Sequence, residues 1–150
     1  MPVRRFDEVQ LGDELPARSF PLTRLDLVRY AGASGDFNVI HWNQRIATSV
    51  GLPDVIAPPT FAIIVAQRAE AAVVHDPEAG IDYSRVVHGE QRFTHLRPIV
   101  AGDRLVGTPH VDSVREAGGH GMVTTRVEIA TEAGEHVATA FSTIVVRGGE

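Results

Sequence analysis

From Val86 almost to the C-terminus the apolar residues recur every second position, and this period dominates what the chain can fold into. The runs VVHGEQRFTHLRPIV, RLVGTPHVDSVRE, MVTTRVEIATE and HVATAFSTIVVR are separated by turn sequences at Ala101-Gly102-Asp103, Gly118-Gly119 and Glu132–Glu135. Each reads as a strand of about ten residues, longer than the usual five or six. The short connections predict that consecutive strands lie side by side and antiparallel.

The half before Val86 reads as helices and loops. Thr23 and Asp26 have the spacing of a helix start, in which the hydroxyl caps and the carboxylate suits the positive helix end. Leu22 and Leu27 match a hydrophobic staple across that start, and Gly32 and Gly35 bring the helix to its end. Asn43 is placed to cap a second short helix that stops at Gly51-Leu52-Pro53. In APPTFAIIVAQRAEAAVVH, Pro59 fits a first helical turn, where a proline loses no backbone bond. Phe61, Ile64, Val65, Ala69, Ala72 and Val73 leave small or apolar residues on nearly every face, which predicts a buried helix. An additional strand is expected within ELPARSFPL.

Helices followed by a strand meander give an α+β chain. One long antiparallel sheet and one buried central helix predict that the sheet wraps around the helix, as in a hotdog fold, over a single domain of residues 1–150. Such a sheet leaves an edge and a helix flank uncovered, so a dimer is expected, as a homodimer or with another hotdog subunit.

Composition narrows the function classes. The net charge of −5 carries no basic block, so neither nucleic acid nor a membrane surface is an expected partner. There is no cysteine, which excludes disulfides and thiolate metal sites. His75, His88, His95, His110, His120 and His136 are scattered without ligand spacing, and no metal is expected. The N-terminus lacks the apolar core of a signal peptide, and the apolar stretch at 61–74 is broken by Gln67, Arg68 and Glu70, so a cytoplasmic protein is expected.

The densest chemistry lies in SGDFNVIH, residues 34–41, where Asp36, Asn38 and His41 fall within six positions. In a glycine-containing loop, Asp and Asn often do no more than form Asx turns, and a histidine can be a core residue. The wider stretch YAGASGDFNVIHWNQRIA, however, resembles the signature of the MaoC-like (R)-specific enoyl-CoA hydratases and β-hydroxyacyl dehydratases. Tyr30, Ser34, Gly35, Asp36, Asn38, Ile40, His41 and Ala47 match it; Val39 stands where proline is usual. FDEVQLGDELPARSFPLTR and LRPIVAGDRL are also typical of the family, especially of actinobacterial fatty-acid and mycolic-acid dehydratase subunits.

The resemblance implies reversible hydration of a trans-2-enoyl thioester of CoA or acyl-carrier protein, without a cofactor. Water must be activated toward C3, a proton must reach C2, and charge must be stabilised on the thioester oxygen. It assigns Asp36 and His41 to the acid–base work, with Asn38 in support.

One part of the pattern breaks. Hydratases of this family usually begin the central helix with Ala-His-Gly-Met, and the glycine N–H binds the thioester oxygen. Here IAPPTF puts Pro58 and Pro59 at those places, and proline has no N–H. Thr60, through its backbone N–H and its hydroxyl, is the nearest substitute. The same start resembles the non-catalytic subunit of heterodimeric dehydratases, so a heterodimer subunit and a non-catalytic acyl-thioester binder are the competing readings. Arg85, Arg92 and Arg97 are positioned to meet a phosphate of CoA or of a carrier protein, although strand arginines are more often solvated. Glu70 sits too late in its helix for the carboxylate of a hotdog thioesterase.

Overall fold

A computed structural model describes residues 18–75 and 81–149. Strand β1 (Arg18–Pro21) leads into helix α1 (Arg24–Ser34). A 3-10 turn at Val39–His41 and helix α2 (Gln44–Ser49) follow. A second 3-10 turn, Pro59–Phe61, runs directly into helix α3 (Ala62–Val74). The strands are β2 (Val86–His95), β3 (Arg104–Ala117), β4 (His120–Thr131) and β5 (His136–Val146). The expected N-terminal strand is β1; the part of ELPARSFPL before Arg18 lies outside the described residues.

The local signals hold except at Gly32, which lies within α1 and leaves Gly35 to end it. Thr23 caps α1 in a reciprocal capping box with Asp26, and Gly35 closes the helix in the left-handed conformation, φ 76°. Asn43 caps α2 by accepting from the Ile46 N–H. Leu22 and Leu27 are both buried in the core.

The five strands form one antiparallel sheet in the order β1-β3-β4-β5-β2, and α3 lies against β1, β3, β4 and β5. This is the hotdog arrangement. Ala62, Ala66 and Ala69 give α3 a face of small side chains, and below it Gly107 of β3 lets the helix come close. A Cβ built on Gly107 would stand 2.9 Å from the Cβ of Ala69. Val65, Leu105, Val127, Ile129, Val137, Ala138 and Ala140 fill the rest of the interface. Gln67 and Arg68 are exposed, so one flank of α3 is uncovered.

Strand order corrects the reading that consecutive strands are neighbours. β2 does not pair with β3; it crosses to β5, with Val86 opposite Val146 and His95 opposite Ala138. It also ends at His95 rather than continuing to the Ala101 turn. The reason lies in the connection. Pro98 cannot donate to a ladder and restricts the residue before it. Beyond it the chain bonds elsewhere: the Ala57 N–H donates to Ile99 O at 2.8 Å and the Ala101 N–H to Val55 O at 3.0 Å. The connection thus pairs with the segment that precedes α3, and β2 is left as an edge of the sheet.

Candidate active site

The loop from Asp36 to His41 is set by its own backbone. Beyond the left-handed Gly35, the Asp36 N–H returns to Ala31 O at 3.0 Å, which closes α1 and starts the loop at Asp36. Asn38 caps the turn that follows: its Oδ1 accepts from the Ile40 N–H at 3.2 Å, and its own N–H donates to Asp36 Oδ1 at 3.3 Å. Asn38 therefore supports both the loop and the carboxylate, the latter through its main chain.

The second carboxylate oxygen faces His41. Asp36 Oδ2 and His41 Nε2 are 3.2 Å apart, with the imidazole buried and the carboxylate half-buried. The other ring nitrogen, Nδ1, lies 2.7 Å from Ile56 O. A carbonyl can only accept, so Nδ1 carries a proton. Nε2 is then the one imidazole nitrogen that exchanges a proton, and it points at Asp36. The pair can take a proton from a water and return one to a neighbouring carbon. The loop contains Asx turns and also brings the Asp36 carboxylate against His41.

His41 stands in the wall of a pocket of about 490 Å³. Ile40, Ile56, Ala57, Pro58, Pro59, Leu96, Pro98 and Ile99 make the lining largely apolar, with His95 and Arg97 as its other polar members.

Thr60 stands apart from that lining. It is exposed, and its hydroxyl is engaged with the Tyr30 hydroxyl at 2.7 Å. Tyr30 also packs edge-on against Phe61, ring centroids 5.2 Å apart. The Phe61 N–H closes the turn on Pro58 O at 2.9 Å. The Thr60 N–H lies ahead of it, in the stretch whose donors have no helical partner.

Sequence reasoning gave His95 no role. Its Nε2 is 2.9 Å from Pro59 O, so the last residue of β2 holds the first residue of the helix start. Periodicity carries no sign of this, since the partner is a main-chain oxygen far along the chain. Of the arginines, Arg97 is committed to Asp103 and Glu135, and Arg92 lies over the Phe141 ring, 4.3 Å from its centroid. Arg97 is therefore not a free phosphate ligand. Among the described residues no three acidic, histidine or cysteine side chains converge as a metal site.

A family profile described as "FAS1-like, dehydratase domain region" matches residues 9–140. The chain belongs to this dehydratase family. Its relatives include a UPF0336 protein of Saccharopolyspora erythraea, 46% identical over 143 residues that span 95% of this chain and 92% of that one. Among solved structures, the truncated HadBC (3R)-hydroxyacyl-ACP dehydratase complex of Mycobacterium tuberculosis superposes with a TM-score of 0.76 at 24% identity, over 89% of this chain and 96% of that chain. The (R)-hydratase PhaJ1 of Pseudomonas aeruginosa gives 0.73 at 21%, over 97% and 86%. At these identities the structures show a shared fold. The resemblance to MaoC-like hydratases and dehydratases drawn from SGDFNVIH is borne out at the level of the family.

Proposed function

We propose that this member of the dehydratase family interconverts trans-2-enoyl and (R)-3-hydroxyacyl thioesters of CoA or acyl-carrier protein, with Asp36 and His41 as the acid–base pair. The observation that carries the reading is the 3.2 Å approach of His41 Nε2 to Asp36 Oδ2, with the tautomer fixed by Ile56, at the wall of an apolar pocket. In hydration, a water held beside the pair, within reach of both side chains, gives a proton to the pair as its oxygen bonds to C3. The π electrons move toward the thioester oxygen, and the pair returns a proton to C2. Dehydration reverses each step. No cofactor is needed. Asn38 holds Asp36 in place, and the donor to the thioester oxygen is assigned to the Thr60 main chain.

The dehydratases and hydratases among the structural neighbours support this reading, and so does the family profile. No helix among the described residues is long and apolar enough to cross a membrane. We read the protein as a cytoplasmic enzyme of one domain that works as a dimer joined through a sheet edge. The test is the loss of enoyl absorbance when crotonyl-CoA and longer enoyl-CoAs are hydrated, together with the sedimentation mass. Turnover supports the reading. Thermal stabilisation by acyl-CoA without turnover would assign a binding role instead.

A second reading, a subunit of a heterodimer, is favoured by Pro59, which leaves the helix start without its usual donor. The neighbours HadBC and ChsH1–ChsH2 are complexes of two different chains. An inactive homodimer that gains activity with a second hotdog chain would establish it.

A further inference from the structure

The hydrogen bond between His95 and Pro59 concerns one particular peptide unit. The carbonyl of Pro59 and the N–H of Thr60 are the two ends of the same amide. That amide is planar, and there is no cis peptide bond in the described chain, so its C=O and N–H point in opposite directions. Whatever holds the Pro59 oxygen therefore aims the Thr60 N–H. His95 Nε2 holds it at 2.9 Å, and because the partner is a carbonyl, Nε2 must be the donor.

The other side of the turn is held independently. Tyr30, from α1, reaches the Thr60 hydroxyl at 2.7 Å and packs on Phe61. The amide is thus gripped from β2 at its oxygen and from α1 at the following side chain. The two grips come from different elements, and α1 is the helix that leads into Asp36. A hydrogen bond accepted by a peptide carbonyl also polarises its N–H and makes that N–H a stronger donor.

We propose, resting on the hydratase reading above, that His95 is a positioning residue for the oxyanion donor: by holding the Pro59 carbonyl it aims and polarises the Thr60 N–H, which replaces the N–H that Pro59 lacks. His95 acts through the peptide and does not itself touch the substrate. A proline at this place removes one donor, and the histidine at the end of β2 improves the next.

The test compares His95→Ala, His95→Gln and His95→Asn in the full-length protein. The glutamine amide places an N–H where Nε2 stands, whereas the asparagine amide matches Nδ1 and stops short of the Pro59 oxygen. Two readouts are taken. One is kcat and KM for crotonyl-CoA hydration. The other is the enolate fraction of bound acetoacetyl-CoA, read from its ultraviolet band, which depends on donors to the thioester oxygen and not on turnover. His95→Ala and His95→Asn are expected to lower kcat by about tenfold or more, with KM little changed, and to lower the enolate fraction in parallel. His95→Gln is expected to retain most of both. Any other pattern overturns the proposal: retention in Ala or Asn means the bond is not needed, and equal loss in Gln means that a donor to Pro59 O is not what His95 supplies. If the wild type does not hydrate enoyl-CoA, the hydratase reading fails by itself and the enolate readout decides the role of His95. If it hydrates enoyl-CoA without binding acetoacetyl-CoA, the kcat pattern alone decides; if it does neither, both fall.

Discussion

Arg97 grips Asp103 with both arms of its guanidinium, Nη1 to Oδ2 at 2.9 Å and Nη2 to Oδ1 at 3.0 Å, and so pins together the two ends of the connection between β2 and β3. Its Nε donates to Glu135 Oε1 at 3.0 Å, which ties that connection to the turn before β5. Asp103 first, and Glu135 second, push the Arg97 pKa up, so the guanidinium is permanently charged. Arg97→Ala is expected to cost about 2 kcal/mol, the range for a partly buried, charge-assisted fork. At this chain length that lowers Tm by roughly 4–8 °C in a thermal melt. Arg97→Lys should recover only part of the loss, because an ammonium cannot make the fork.

The acid–base pair proposed for Asp36 and His41 predicts a different signature. Asp36→Asn and His41→Gln are each expected to lower kcat for enoyl-CoA hydration by about 10²-fold or more, with the far-ultraviolet circular dichroism unchanged. Turnover close to the wild type in either variant would remove that residue from the mechanism.

Pro59→Gly restores an N–H where the family usually has one. The carbonyl of residue 59 remains for His95 to hold. Glycine loosens the turn, so stability should fall by about 0.5–1 kcal/mol in a urea titration. A regained oxyanion donor is worth up to ~3 kcal/mol in the transition state, so kcat for crotonyl-CoA is expected to rise. Unchanged or reduced kcat, with the fold kept, would place the thioester oxygen elsewhere.

Glu70 gives a pH dependence with a definite sign. Its carboxyl is pushed up by burial, partly offset by the hydroxyl of Thr125, which donates to it. The folded pKa therefore lies above the unfolded one. Between the two, the folded state holds the extra proton, so stability falls as pH rises through that window and levels off above it. Glu70→Gln keeps an acceptor for Thr125 and carries no charge. Urea denaturation at a series of pH values should show the variant gaining on the wild type as pH rises from the usual carboxylate range, with the gap constant at higher pH.

Gly107→Ala tests the close approach of helix and sheet. The new methyl would meet Ala69 Cβ at 2.9 Å and Val127 Cγ1 at 3.5 Å. Overpacking of this kind costs about 1–3 kcal/mol, measurable as a lower urea midpoint at constant slope.

What the sequence reveals follows the range of the interactions. The Thr23–Asp26 capping box, the Asn43 cap and the Asp36–Asn38–His41 loop are made by residues within a few positions of one another, so their spacing is visible. The pairing of β2 with β5 is not, because it is decided by Arg97 reaching Asp103 and Glu135 and by residues 55–57 capturing the backbone of 99–101. The role of Ile56 in fixing the His41 tautomer and that of His95 on Pro59 were also hidden. Both use main-chain oxygens, which every residue has, so no residue type announces them.

The strand order also sets a timetable for the ribosome. β2 and the wall segment after it are made before β3, β4 and β5, yet among the described residues β2 finds its sheet partner only in β5, residues 136–146. Until those residues emerge, β1, β3 and β4 can assemble, but among the described strands β2 has no partner in the sheet and His95 no fixed place. A nascent chain would therefore carry Asp36 and His41 well before it had the pocket to use them in. Closure over such a sequence separation is slow and leaves an apolar strand waiting. Synthesis of β5, rather than of the loop that carries Asp36 and His41, is the step at which the candidate site is completed.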